Sequence, residues 1–366
     1  MRVQIVDPPA FTPPYDHALS AALARAGADV ELVTSRFAYG EVPPPAGYER
    51  RELFYRHSVG PPGSRRRRLS KLAEHVPDML RYRRRAAGAD VVHLQWLTAP
   101  TLDVRLLPDR PLVLTAHDLL PREPRLGQVR AQRRLFERVD ALVVHSDYGR
   151  GQLVQRLGVT PDKVHVIPHG AFAHVAASPV GALPPEVTGG AGPVVLFFGL
   201  LRPYKGVETL LRAWPGIEGA RLWIAGRPMM DLAPLRALAP ASVRFVPRFV
   251  ADGEAAALFA RADVVVLPYA RTERFDQSGV LATALAFGKA VVLSDVGGFA
   301  EVAAAGAARL VAPDDPAALR NALTELVADP AQRERLGAGA LAAARGPYSW
   351  DEAARRTLAV YASIRR

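Results

Sequence analysis

The chain has 366 residues, 49% hydrophobic and 23% charged, with 47 basic against 36 acidic side chains. This length carries two domains with full cores, and the absence of cysteine excludes a disulfide framework, thiolate metal sites and a cysteine nucleophile. No apolar stretch approaches the roughly eighteen residues of a membrane-spanning helix, and the opening Arg2-Val3-Gln4-Ile5-Val6 has no leader pattern, so a cytoplasmic protein is expected. The net charge of +11 includes only four lysines, Lys71, Lys163, Lys205 and Lys289. Arginine is the background cation, which makes each lysine a departure from it.

Short runs of Val, Ile and Leu alternate with helix-length segments, the rhythm of parallel strands joined by crossover helices. Strands are expected over 2–6, 29–33, 91–94, 112–115, 141–144 and 164–167, with helices at 15–26 and 149–157 between them. Residues 173–193 have no period and read as an interdomain linker. The rhythm restarts with strands at 194–198, 221–225, 243–245, 264–267, 290–293 and 309–311 and helices at 207–213, 252–261 and 279–287. Helices at 316–328, 332–345 and 350–364 finish the chain. The expected organisation is a first domain over 1–172, a linker over 173–193, a second domain over 194–349 and a terminal helix over 350–366.

In open parallel sheets ligands bind beyond the carboxyl ends of the strands, so the loops that follow strands carry the candidate chemistry. Strand 194–198 runs into Gly199-Leu200-Leu201-Arg202-Pro203-Tyr204-Lys205-Gly206. Two cations on a proline-stiffened turn suit a diphosphate; one charge pair at about 4 Å contributes about 4 kcal/mol at an effective dielectric near ~20. The same cations would stabilise a departing diphosphate. The competing reading is an exposed turn with incidental charge, and the rarity of lysine favours phosphate. A second anion site is expected at Ser278-Gly279-Val280, where Ser278 caps a helix and the first-turn amides point outward.

In the first domain, strand 112–115 ends at Ala116-His117-Asp118. His117 is read as a site residue; Asp118 orients its imidazole, takes an acceptor proton or caps the next turn. Tyr15, Asp16 and His17 follow a proline-rich loop and read either as acceptor contacts or as the start of a helix. Trp96 offers a flat face to a sugar or aglycone, or packs. Pro168-His169-Gly170 closes the domain at the hinge.

A basic run, Arg65, Arg66, Arg67, Arg68, Lys71, Arg81, Arg83, Arg84 and Arg85, reads as a solvated helical face or as a dock for an anionic membrane surface or acceptor. Nucleic acid is not expected, since only Tyr82 interleaves these charges. The histidines are dispersed and no Asp-x-Asp pair ends a strand, so no metal and no cofactor are expected. No Gly-x-x-x-x-Gly-Lys-Ser/Thr loop is present either.

The chain resembles the family 4 glycosyltransferases, a retaining group of GT-B architecture, over nearly its whole length. The second half carries most of the likeness: the turn at 199–206, Leu222-Trp223-Ile224-Ala225-Gly226, Ala262-Asp263-Val264-Val265-Val266-Leu267-Pro268, Gly297-Gly298-Phe299-Ala300-Glu301 and Tyr348-Ser349-Trp350. The first half adds His117, Val144-His145-Ser146 and Ile167-Pro168-His169-Gly170. The resemblance implies an α/β fold of two Rossmann-like, doubly wound domains facing a cleft, with the last helix crossing back to the first domain. It implies transfer of a sugar, with retention, from a UDP-, GDP- or dTDP-sugar to a sugar, lipid-linked or small-molecule acceptor. Gly199, Arg202, Lys205 and the amides of Gly279 and Val280 would hold the diphosphate. Gly226 and Arg248 would border the base, and His117 would sit over the transferred sugar. The family usually has two glutamates eight positions apart, where this chain has Phe275 and Thr283. Thr283 is left to bond a ribose hydroxyl, and sugar contacts pass to Asp276, Gln277 and Ser278, or to Glu273. Those missing carboxylates favour the alternative of a degenerate protein that binds without turnover; a sugar epimerase on the same fold is another.

Overall fold

Runs of four or five Val, Ile and Leu residues satisfy their backbone by pairing and their side chains by burial on both faces. The computed structural model describes residues 1–119, 127–187, 190–272 and 276–365, and in it such runs form two parallel sheets. The chain divides into two units: one takes Met1–Gly170 together with Asp276 and the last helix, the other Ala171–Glu273 and Gln277–Ser349.

In the first unit the strands are β1 (Arg2–Asp7), β2 (Asp29–Ser35), β3 (Glu49–Phe54), β4 (Val91–Leu94), β5 (Leu112–Thr115), β6 (Ala141–Val144) and β7 (Val164–Val166). They lie in the order β3-β2-β1-β4-β5-β6-β7. Val3 pairs with Val30 on one side and Val91 on the other, which places β1 inside the sheet between β2 and β4. Every residue of β4, β5 and β6 is buried. The helices are α1 (Pro13–Arg25), α2 (Arg65–Arg85), α3 (Pro100–Asp103), α4 (Gln128–Arg138) and α5 (Asp147–Gly151). Strand β3, Glu-Arg-Arg-Glu-Leu-Phe, is absent from the sequence reading because it is an edge strand, partly exposed and polar. Glu31 on β2 gathers Arg51 of β3 at 2.7 Å and Arg85 of α2 at 2.8 Å.

In the second unit, the segment read as a linker contains a one-turn α6 (Ala173–Ala176) and a 3-10 turn at Pro185–Val187. Strands β8 (Val194–Phe198), β9 (Arg221–Ala225), β10 (Val243–Val246), β11 (Val264–Leu267), β12 (Ala290–Ser294) and β13 (Arg309–Val311) follow, in the order β10-β9-β8-β11-β12-β13. The crossovers are α7 (Val207–Ala213), α8 (Ala233–Leu238), α9 (Asp252–Arg261), α10 (Gly279–Ala286) and α11 (Phe299–Ala304), with α12 (Pro316–Ala328) and α13 (Pro330–Arg345) behind them. In each sheet the strand order reverses beside the first strand, between β1 and β4 and between β8 and β11. Such switch points leave a crevice at the carboxyl ends of the strands.

The last helix, α14 (Trp350–Ile364), is part of the first unit. Arg25 at the end of α1 meets Asp351 at 2.7 Å, and the Tyr361 hydroxyl lies 2.6 Å from His93 Nδ1 in β4. Gly170 fits only without a side chain, because a Cβ there would lie 2.4 Å from the Trp350 indole. Gly170→Ala should therefore destabilise the fold by about 1–3 kcal/mol through overpacking, measured as a lower urea midpoint. An unchanged midpoint would show that Trp350 is free to move away.

Candidate functional site

Parallel strands end on one edge, so the residues just beyond β4 to β7 become neighbours. Histidines occur in or just beyond each of these strands, and four of them, His93, His117, His145 and His169, lie together; β7 also carries His165. The His117 and His145 rings are 5.4 Å apart, and the His145 and His169 rings 5.2 Å apart. Tyr15 of α1 sits edge-on to His117 at 4.6 Å, to His169 at 5.0 Å and to Trp350 at 4.9 Å. Trp96 stacks on His117 at 5.1 Å and 11°, while its indole nitrogen donates to Thr12 Oγ1 at 3.1 Å. Burial first, then the neighbouring imidazoles, holds His117 well below the usual value for histidine. The same desolvation sets His145 at about 4 and His93 and His169 at about 3. The cluster is uncharged at neutral pH.

The expected acceptor contacts divide. Tyr15 and Asp16 are interior, 5% and 1% exposed, because both face the sheet from α1. Asp16 lies against Asp7, and burial, then that neighbouring carboxylate, raises its pKa well above the ordinary range. Asp7 in turn accepts from the Phe11 amide at 2.6 Å and the Thr12 amide at 3.2 Å, which ties the first loop to β1. His17 pairs with Tyr48 at 3.0 Å. Asp118 is half-buried beside His117, and its carbonyl accepts from Gln132. At the same strand ends a cavity of about 170 Å³ is lined by Pro9, Ala10, Arg36, Tyr39, Arg67, Arg68 and Lys71. Part of the basic run, Arg67, Arg68 and Lys71, thus borders a hollow.

In the second unit the turn after β8 folds back on β11. Lys205 is 8% exposed, and its ammonium lies 5.2 Å from the Tyr269 ring centre. Arg202 begins the 3-10 turn Pro203–Lys205, and its buried Nε meets no acceptor among the described residues. Gly206 closes the turn at φ +70°, where a Cβ would strike the Pro268 carbonyl at 1.8 Å. Gly226, after β9, is pressed so closely on the Gly199 carbonyl that a Cβ would lie 2.0 Å from it. A Cβ on Gly199 would reach both Lys205 Nζ, at 2.9 Å, and Val280 of α10, at 3.2 Å. Three residues of the donor reading, Gly199, Lys205 and Val280, therefore converge on one spot.

The remaining donor residues fall into different surroundings. Ser278 occupies the N-cap position of α10, but its hydroxyl pairs with Tyr269 at 3.1 Å instead of capping the helix. The first-turn amides around Gly279 thus lack a side-chain cap. Gln277 bonds the Gly298 carbonyl at 3.3 Å, and the Thr283 hydroxyl donates to the Gly279 carbonyl at 2.9 Å. Arg248 is clamped between Glu254, at 2.7 Å, and Glu186, at 3.1 Å. Asp276 is fully buried in the first unit, where it accepts from the His145 amide at 2.6 Å and from the Ser146 hydroxyl. Phe275 and Glu273 lie outside the described residues. Sequence reasoning missed Gln95, which meets His117 at 3.0 Å, and the clustering of the histidines. Histidines in or just beyond four successive strands were the available signal.

Residues 192–329 match the family described as Glycosyl transferases group 1, and residues 15–171 match Glycosyltransferase Family 4. The D-inositol 3-phosphate glycosyltransferase of Xylanimonas cellulosilytica is 32% identical over 94% of this chain and 89% of its own. The chain belongs to the family 4 glycosyltransferases. A second relative, the phosphatidyl-myo-inositol mannosyltransferase of Mycobacterium leprae, is 33% identical over 75% of this chain and 74% of its own. Sucrose-phosphate synthase from Thermosynechococcus elongatus superposes with a TM-score of 0.73 at 19% identity, covering 100% of this chain and 99% of that one. HepE from Anabaena, solved with UDP-glucose, gives 0.73 at 18% identity and 100% coverage of both chains. At these identities the likeness is one of fold, the GT-B architecture. The transferase, a hexosyl-transferring enzyme, thus has the two α/β domains that the sequence resemblance implied.

The neutral histidines of the transferase make its stability depend on pH. An unfolded imidazole takes up a proton below about pH 6.5, whereas buried His169 stays neutral until about 3. Its contribution is complete above pH 6.5 and is lost as pH falls. The raised Asp7 and Asp16 act in the opposite sense, so a single variant isolates the effect. His169→Asn should show a shallower loss of unfolding free energy than wild type between about pH 6.5 and 4. Parallel curves would contradict a neutral buried His169.

Proposed function

We propose that this chain is a retaining, metal-independent hexosyltransferase that moves a sugar from a nucleoside-diphosphate donor to an anionic acceptor. The observation that carries the reading is the turn of the second unit, where the unpartnered Arg202 Nε and the buried Lys205 head share one short segment. An arginine N–H buried without an acceptor leaves about 1–3 kcal/mol to be regained from a ligand oxygen. Two fixed cations and the uncapped amides of α10 suit the charge that builds on a leaving diphosphate. They can do so without a divalent ion, which supports metal independence. Membership of family 4 supports retention, with the acceptor hydroxyl entering on the face that the diphosphate leaves. His117 would stand over the transferred sugar.

Two observations favour an anionic acceptor. The relatives are named for inositol 3-phosphate and phosphatidyl-myo-inositol, and the cavity at the first unit's strand ends is lined by Arg36, Arg67, Arg68 and Lys71. Helix α2 further supports association with an anionic membrane. At 3.6 residues per turn, Arg65, Arg66, Leu69, Leu72, Leu80, Arg83 and Arg84 fall within roughly a third of its circumference. Leu69 and Leu72 are 68% and 63% exposed. Apolar side chains flanked by arginine on one helical face suit the lipid interface. Arg81 and Arg85 face Asp78 and Glu31 instead, at 2.6 and 2.8 Å.

Calorimetric titration with UDP, GDP, ADP and dTDP, followed by donor hydrolysis with and without EDTA, tests the donor reading. Binding of no nucleotide would sink it, and loss of hydrolysis in EDTA would remove metal independence. Lys205→Ala should weaken nucleoside diphosphates far more than monophosphates; equal losses would refute its role. Flotation with phosphatidylserine vesicles should be salt-sensitive and should fall in the double variant Leu69→Ser, Leu72→Ser. Unchanged flotation would mean that the α2 face is only solvated.

A further inference from the structure

His117 is contacted through both ring nitrogens. Its Nδ1 lies 3.5 Å from His145 Nε2, and its Nε2 lies 3.0 Å from the side-chain amide of Gln95. On its far side His145 Nδ1 is 3.0 Å from the Ile167 carbonyl oxygen. A carbonyl can only accept, so His145 carries its proton on Nδ1, and a neutral imidazole then has a bare lone pair at Nε2. Two lone pairs facing each other repel. The proton between the rings therefore belongs to His117 Nδ1, and His117 Nε2 is the second lone pair.

An acceptor at His117 Nε2 requires a donor opposite it. Gln95 is 1% exposed, and with its oxygen toward His117 its amide nitrogen is buried without a partner. The two ends of a primary amide fill the same volume. Turning Gln95 end for end gives the nitrogen a partner and His117 Nε2 a donor, so one change removes both conflicts.

We propose that His145 and Gln95 are positioning residues that clamp His117 in the neutral tautomer protonated on Nδ1. The other groups facing His117 are Tyr15 from α1, Trp96 after β4, His93 within β4 and His169 after β7. Asp118 follows it in the chain, and Asp276 reaches the cluster only at the His145 amide. Burial and the neighbouring imidazoles keep a second proton off His117. A sugar or acceptor hydroxyl that reaches Nε2 meets a hydrogen-bond acceptor and competes with Gln95 for it. No positive charge is then added near an anomeric carbon that becomes electron-poor as its leaving group departs. This last step rests on the transferase reading; the state of His117 does not.

The test is side-chain nitrogen NMR of the full chain with labelled histidine, together with kinetics. Wild-type His117 should be neutral and protonated on Nδ1 at neutral pH and remain so below the ordinary range of histidine. His145→Gln offers an amide whose oxygen or nitrogen can face Nδ1, and it should produce a mixture of tautomers. The same variant should lower kcat by about tenfold with little change in donor KM. His145→Phe, which removes a neighbouring imidazole, should raise the pH at which His117 protonates and move the acid limb of the rate profile upward with it. His117 protonated on Nε2 in wild type, or a tautomer untouched by either variant, overturns the proposal. If wild type has the expected tautomer but no donor is hydrolysed or transferred, the clamp stands and the transferase reading falls.

Discussion

A parallel strand buried on both faces has no free surface on which to carry chemistry. Polar groups inside it would need partners at every position, so function is displaced to the residues just past the strand ends. Neighbouring strands run about 4.8 Å apart, and any group set one to three residues beyond each strand lands within a ring's width of the next. That spacing brings His117, His145 and His169 to centroid separations of 5.2 to 5.4 Å. At such separations, and away from water, protonating one imidazole penalises the next. The cluster's neutrality therefore comes first from burial and, for His93, His117 and His169, second from the imidazole spacing that the sheet sets.

The second sheet uses the same edge for the opposite purpose. Its strand ends carry no imidazole cluster but a turn that concentrates positive charge, with Lys205 resting over an aromatic ring. Gly206 and Gly226 let the backbones of three loops approach to distances that no Cβ would tolerate. The result is a turn bearing two cations in one unit and a neutral imidazole cluster lined by Tyr15, Trp96 and Trp350 in the other.

Most of this was legible in the sequence where burial is two-sided. Strands β4, β5, β6 and β11 announce themselves as unbroken apolar runs, and their loops could be searched for charge. Strand β3 was not legible, because an edge strand that opens Glu-Arg-Arg-Glu has no apolar run until its last two residues. Arg202 and Lys205 stood out through chain position and the rarity of lysine. Gln95 did not, since a lone glutamine after a strand means nothing until its partner is known. Nor could a sequence show that Ser278 turns to Tyr269 instead of capping α10, or that Asp276 is drawn to the His145 amide. Those are choices among hydrogen-bond partners brought close only by the finished fold.

The return of α14 to the first unit has a consequence for the order in which the protein is made. Trp350 fills the space above Gly170, and Tyr361 supplies the hydroxyl that His93 requires. The ribosome reaches those residues only after the whole second sheet has emerged. At about 5–20 residues per second the first sheet spends on the order of ten seconds or more with that flank uncovered. A nascent chain thus has its Tyr15–His169 face uncovered until Trp350 and Tyr361 have been made.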